Sequence, residues 1–359
     1  MGGDHAPDAI LAGSVAALPL LAPEDRLVLI GDATVIREAL AERGLTHDPH
    51  IEIEPTTQVI GMDESPVSAV RAKPDSSIVR MAQLGGSRHE DGRHCDVVIS
   101  AGNTGACVAA VQMSMRRLPH VHRPGITVVL PTMHGPVAIC DVGANPDPKP
   151  VHLYQYAHMA RVYVQRLIGR TNPRVALLSI GGEESKGNAL VKEAAKLLKA
   201  DPTLNYIGYI EGRDLFDGKA DVVITEGFTG NTIIKLAEGL IAGLFKMLAK
   251  EILESDPELA LRFEPIVKSI YKKHDYHEYG GAPLLGANGV FFKCHGSSEA
   301  RTLTAAVRNA LAFARLGVND QIVAALAVTD SARGGGHGDP APDHAGPRPA
   351  PHGAASGPN

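Results

Sequence analysis

Short apolar runs recur along the chain and alternate with segments whose apolar residues return every three or four positions. The runs lie at Arg26 to Ile30, Ile51 to Ile53, Cys95 to Ile99, Ile126 to Leu130, Val137 to Cys140, Arg174 to Ser179, Tyr206 to Ile210 and Asp221 to Thr225. Several are Val/Ile/Leu stretches without polar alternation, the pattern of parallel strands buried on both faces. Helical spacing fills Ile10 to Leu20, Thr34 to Arg43, Ser76 to Leu84, His152 to Ile168 and Gly187 to Leu198. Alternating units of this kind predict an α/β protein, a layered Rossmann-like fold with a mainly parallel sheet. Polar or glycine-bearing turns follow the predicted strands at Gly31-Asp32, Ser100 to Gly105, Asp141 to Asn145, Gly181 to Asn188 and Thr225 to Asn231. Open α/β sheets bind ligands beyond the carboxyl ends of their strands, so these turns are expected to converge on one site.

Two features lie outside that alternation. Ile233, Leu236, Ala237, Leu240, Leu244, Met247 and Leu248 form a helical stripe within Asn231 to Ser255, which reads as core or subunit packing. The next stretch sets Arg262, Lys268, Lys272 and Lys273 among Leu261, Phe263, Ile266, Val267 and Ile270. A basic amphipathic helix of this type docks on an anionic membrane or an acidic protein, or forms a solvated face over a core. From Ser331 the chain turns to Gly, Pro, Ala, His and Asp with almost no large apolar residue, so residues 331–359 are predicted to be disordered and residues 1–330 to form the folded unit.

The chain has 359 residues, of which 44% are hydrophobic and 21% charged, an ordinary globular balance. A net charge of -5 argues against a dedicated nucleic-acid binder. None of the four cysteines forms a C-x-x-C pair, which disfavours zinc and disulfide frameworks and fits free thiols in a reducing cytosol. No signal peptide is visible and no apolar run reaches the roughly 18–20 residues of a membrane span, so a cytoplasmic location is expected.

The turn Ser100 to Ala106 is the strongest chemical signal. A strand, a small-residue turn and a helix aim several backbone N–H groups at one point, and the helix start adds partial positive charge. Gly102 and Gly105 permit close approach, while Ser100, Asn103 and Thr104 add side-chain donors, together forming an oxyanion or phosphate cradle. Thr225 to Asn231 repeats this design, with Thr229, Gly230 and Asn231 in its turn. Gly2-Gly3-Asp4-His5 is a further anion-site candidate, in which Asp4 or His5 orients or protonates a reacting group, or Asp4 merely caps a helix. Asp141 and Asn145 either contact substrate or hold their own loop in an Asx-turn. In Gly181 to Asn188, Lys186 can neutralise an anion, and Glu183 or Glu184 suits a helix cap better than a metal. His295, beside Gly296 and two serines, can protonate a leaving group or be structural. No Gly-x-Ser-x-Gly elbow, Walker A loop or complete Gly-x-Gly-x-x-Gly fingerprint is present, which disfavours serine hydrolases, P-loop ATPases and nicotinamide enzymes.

Taken together, GGDHAP (Gly2 to Pro7), SAGNTGA (Ser100 to Ala106), DVGAN (Asp141 to Asn145), GGEESKGN (Gly181 to Asn188), TEGFTGN (Thr225 to Asn231) and YGGAPLLGANG with HGSS resemble the bacterial phosphate acyltransferase family, PlsX. The resemblance runs to about Asp330. It implies a fold similar to isocitrate dehydrogenases and phosphotransacetylases, a homodimer, peripheral membrane association, and no metal or redox cofactor. It implies transfer of an acyl group from acyl carrier protein to inorganic phosphate, which feeds phospholipid synthesis through a downstream glycerol-phosphate acyltransferase. It also implies a short strand ahead of the Met-Gly-Gly-Asp motif, where this sequence starts at Met1. On this reading Ser100, Gly102, Asn103, Thr104 and Gly105 bind phosphate and the oxyanion, with Thr229, Gly230 and Asn231 opposite. Lys186 adds charge, His5 or His295 protonates the thiolate, and Asn103→Ala is expected to reduce turnover far more than stability. Arg262, Lys268, Lys272 and Lys273 are the expected docking surface for the acidic carrier or the membrane. The alternatives are a phosphotransacetylase-like enzyme using acyl-coenzyme A, a metal-dependent decarboxylating dehydrogenase, and a non-catalytic membrane scaffold.

Overall fold

The computed structural model describes residues 2–86, 93–273 and 279–332. Its first part comprises α1 (Asp8–Ala16), β1 (Leu27–Gly31), α2 (Ala33–Ala41), β2 (Ile51–Pro55), α3 (Pro66–Ala72), α4 (Ser77–Leu84), β3 (Val97–Ser100) and α5 (Thr104–Ser114). The middle contains β4 (Gly125–Leu130), β5 (Val137–Cys140), α6 (Pro150–Tyr163), β6 (Val175–Leu178), α7 (Ala189–Lys199), β7 (Tyr206–Ile210) and β8 (Val222–Ile224). A helical pair, α8 (Gly227–Ser255) and α9 (Pro257–Lys273), precedes β9 (Ala282–Leu285), β10 (Val290–Lys293), α10 (Ala300–Arg315) and α11 (Val318–Ala332).

The strands form an eight-stranded sheet in the order β3-β10-β9-β4-β5-β8-β6-β7 and a separate parallel pair, β1-β2. Five of the eight pairings are parallel, which agrees with the sequence pattern; β9 with β10, β9 with β4, and β4 with β5 are antiparallel. Thus β3, β10 and β4 run one way, and β9, β5, β8, β6 and β7 run the other. Strand β9 escapes sequence reading because Gly280, Gly281 and Pro283 read as a turn, although Pro283 pairs with Phe292 inside the sheet.

All four residues of β5 and of β6 are buried, as their unbroken apolar runs require. Helix α6 lies against them and buries residues on every side, including Tyr156, Met159 and Tyr163, so it is a core helix rather than an amphipathic cover. A second cluster joins α4 and α5 to β3, β4 and β10 through Ile78, Met81, Cys107, Val111 and Phe291. A cavity of about 820 Å3 separates β1 from β3, lined by Leu27 to Ile30, Asp96 to Ser100, Gly2 and apolar residues of α1, α4 and α10. The expected tail falls outside the described residues from 333 onward, and α11 extends through Ser331 to Ala332.

Candidate functional site

The turn after β3 is built largely by its own side chains. Ser100 Oγ accepts the Gly102 N–H at 3.1 Å, and the Cys107 thiol donates to the same oxygen at 3.3 Å. Asn103 caps α5, its Oδ1 accepting the Ala106 N–H at 3.0 Å. Its Nδ2 donates to the carbonyls of Gly61, Met62 and Glu64 at 3.2, 3.0 and 3.1 Å. Asn103 is therefore a buried pin between α5 and the segment before α3, with no free donor for phosphate, and this corrects the role read from its position in the motif. A Cβ on Gly105 would fall 2.5 Å from the Pro66 ring, so α3 packs here only against glycine. Among the described residues the Thr104 hydroxyl makes no hydrogen bond, and the Thr104 and Gly105 N–H groups at the first turn of α5 have no acceptor.

The amino terminus and the segment after β10 join this first group. Asp4 N–H donates to Gly296 O at 2.7 Å, and a Cβ on Gly2 would lie 3.0 Å from Gly102 Cα. Asp4, His5 and His295 are exposed, and His295 Nδ1 lies 2.7 Å from Ser297 Oγ. Asp4 does not cap α1, which starts beyond Pro7 without a side-chain cap.

Sequence reading missed one residue of this group, Lys293. It pairs with Ser100 across β10 and β3, is only 7% exposed, and donates to Cys294 O. Burial lowers its ammonium below the usual lysine range, opposed by Cys107, Cys294 and Asp4. The available signal was a lysine ending the apolar run Val290-Phe-Phe.

The second group stands at the carboxyl ends of three neighbouring parallel strands, β5, β8 and β6. Asp141 is fully buried and accepts from Ile126 N at 2.8 Å, Ala144 N at 3.3 Å, and Asn145 N and Nδ2 at 2.7 and 3.2 Å. Burial outweighs these donors and pushes its carboxyl up to about 6. Asn145 Nδ2 also donates to Pro124 O at 2.7 Å. Both side chains brace their loop, as in the Asx-turn alternative.

Helix α8 opens at Gly227, earlier than the sequence suggested, so Thr229, Gly230 and Asn231 lie within its first turns. Glu226 caps it, accepting Phe228 N at 2.6 Å, Thr229 N at 2.9 Å and the Thr229 hydroxyl. Of this expected second cradle, the Thr229 N–H is thus taken by the Glu226 carboxylate and the Gly230 N–H by the Glu226 carbonyl at 3.0 Å. A Cβ on Gly230 would fall 2.0 Å from Asp141 O, which fixes glycine where α8 crosses the β5 turn. Among the described residues the Asn231 amide and the exposed Lys186 ammonium on the neighbouring β6 turn remain unengaged, as does the buried Ser179 hydroxyl after β6. Helix α7 is capped by Asn188, which accepts Val191 N at 2.9 Å, and not by either glutamate; Glu184 instead pairs with Lys199 at 2.6 Å.

The expected convergence is therefore partial. The turns after β5, β6 and β8 gather, while the first cradle collects Gly2, Gly3, Asp4 and the His295 loop, with β10, β9, β4 and β5 standing between β3 and β8. No group of three or more His, Cys, Asp or Glu side chains suited to a metal occurs among the described residues. On α9, Arg262 is exposed, and the side chains of Lys268, Lys272 and Lys273 lie outside the described residues.

Residues 1–321 match the family model described as "Fatty acid synthesis protein". The phosphate acyltransferase of Heliobacterium modesticaldum is 43% identical over 328 residues, 91% of this chain and 94% of the relative. That of Moorella thermoacetica is 43% identical over 330 residues, 91% of this chain and 93% of the relative. Among solved structures, a phosphotransacetylase from Streptococcus pyogenes aligns with a TM-score of 0.57 at 16% identity, over 85% of this chain and 91% of that one. EutD phosphotransacetylase from Staphylococcus aureus aligns at 0.51 and 15% identity over the same shares. These two likenesses show the fold.

Proposed function

The chain belongs to the fatty acid synthesis protein family of phosphate acyltransferases, enzymes that transfer an acyl group to phosphate, and from that premise we propose that its donor is a long-chain acyl thioester on acyl carrier protein. The acyl phosphate then supplies a glycerol-phosphate acyltransferase of phospholipid synthesis. Near neutral pH inorganic phosphate is already largely a dianion and needs positioning more than deprotonation. One of its oxygens attacks the thioester carbon, and the tetrahedral oxyanion that forms requires fixed donors.

The observation that best supports the site is the open first turn of α5. Among the described residues Thr104 N–H, Gly105 N–H and the Thr104 hydroxyl have no partner, although the same turn is tightly braced by Asn103 and Ser100. We assign phosphate and oxyanion binding to this turn, with Asn231 and Lys186 contributing from the other half of the sheet. The departing thiolate is a good leaving group, so His5 or His295 has at most a modest protonating role.

The direct test incubates the protein with palmitoyl acyl carrier protein and inorganic phosphate and traps acyl phosphate with hydroxylamine. Lys186→Met and Thr104→Val are each expected to lower turnover about a hundredfold, the scale of losing one oxyanion contact at roughly 3 kcal/mol. Equal efficiency with palmitoyl-coenzyme A would move the assignment to a phosphotransacetylase-like donor. The carrier is acidic, and we assign its docking to the α9 segment, whose sequence carries Arg262, Lys268, Lys272 and Lys273. Raising salt from 50 to 500 mM in the assay is therefore expected to increase the KM for the carrier, and an unchanged KM would remove α9 from docking.

A further inference from the structure

Lys293 is a buried cation to which the mechanism above gives no work. It shares the sheet face of its strand partner Ser100, whose hydroxyl accepts the Cys107 thiol of α5, and Cys107, Cys294 and Asp4 act on its charge. Only 7% of the residue is exposed. An ammonium carries three donors, and one is used, on Cys294 O. No carboxylate lies within 4.0 Å of Lys293 among the described residues, and Asp4, the nearest acidic partner, is exposed. Burying a charge without a counter-charge is costly, and folded proteins pair such groups or bind a ligand to them. A structural need for hydrogen bonding to one carbonyl would be met by a neutral donor.

The first turn of α5 shows the complementary deficit. Its Thr104 and Gly105 N–H groups lack acceptors among the described residues, and Ser100, whose hydroxyl anchors that turn, is the strand partner of Lys293. An anion at the turn would satisfy both. We propose that Lys293 is the counter-charge of inorganic phosphate bound at the α5 turn, an anion-binding residue of the transfer site. The inference rests on the reading that this turn holds phosphate. It deepens that reading by assigning the cation there to β10 and leaving Lys186 to the other half of the site.

The experiment compares wild type with Lys293→Met, a side chain of similar length without charge. Two readouts are taken: the phosphate KM in the hydroxylamine-trap assay, and the rise in melting temperature on adding inorganic phosphate without acyl donor. Wild type is expected to be protected by phosphate, and the variant to lose that protection and raise the phosphate KM at least tenfold, with the carrier KM little changed. Lys293→Arg is expected to recover part of both. A Lys293→Met protein that is less stable without phosphate yet keeps the wild-type phosphate KM and protection would overturn the proposal, because Lys293 would then serve the fold alone. If Lys293→Met does not fold, Lys293→Gln takes its place and is judged by the same two readouts. Failure of wild type to form acyl phosphate would instead sink the functional reading, and is separated from the fate of Lys293 by the phosphate-protection measurement.

Discussion

Asn103 makes four hydrogen bonds of 3.0–3.2 Å with 6% of its surface exposed. Replacing it with alanine removes a helix cap and leaves buried carbonyls unsatisfied, a combined loss of about 2–4 kcal/mol. The urea midpoint of Asn103→Ala is therefore expected to fall markedly, and a wild-type midpoint would return this side chain to ligand binding. Asp141 gives a pH-dependent counterpart. Its carboxyl, pushed up to about 6 by burial, holds its proton more tightly in the native state than the ordinary value near 3.8 in the unfolded chain. Between those two pH values the native protein binds more protons, so this group's contribution to stability falls as pH rises through the window and levels off above about 6. Carbon-13 NMR of labelled aspartate should show one carboxyl with a midpoint near pH 6. Neither assignment was legible from residue type, since asparagine and aspartate in a turn serve a ligand or their own backbone equally well.

Helices α8 and α9 leave the body of the protein. Only Gly227, Gly230 and Ile234 of α8 are buried, whereas Leu236, Leu240, Leu244 and Met247 are 52–69% exposed. The periodic stripe was plain in the sequence, but periodicity reports an apolar face and not what covers it. We propose a second copy of the chain as its cover, the homodimer implied by the resemblance. Leu244→Glu is then expected to shift sedimentation equilibrium from dimer to monomer, and an unchanged mass would assign the stripe to another surface, such as a membrane. No single helix among the described residues is long and apolar enough to cross a membrane.

Across the whole molecule, stability is unevenly distributed. Among the described residues the β1-β2 pair is hydrogen-bonded to no other strand, and it rests on a small cluster of four buried side chains, Leu11, Leu29, Ile36 and Leu40. Strands β5, β8 and β6 each have a strand on both sides in the large sheet and lie under α6. Two-stranded units are marginal by themselves, so amides of Leu27–Gly31 and Ile51–Pro55 are expected to exchange with deuterium well before those of Val137–Cys140 and Val222–Ile224. Equal protection would mean that the seam between β1 and β3 does not divide the cooperative unit. The strands with unbroken apolar runs, the helices between them and the motifs carrying the family likeness were all set by the sequence alone, because buried periodicity and glycine-bearing turns are local properties of the chain. Tertiary structure alone decided which turns gather, that Glu226 occupies the α8 N–H groups, that Asn103 and Asp141 serve the fold, and that Lys293 is buried beside Ser100. Each of these depends on partners distant in sequence or on a helix boundary that no local pattern specifies, and a side chain's free valences are known only when its neighbours are in place.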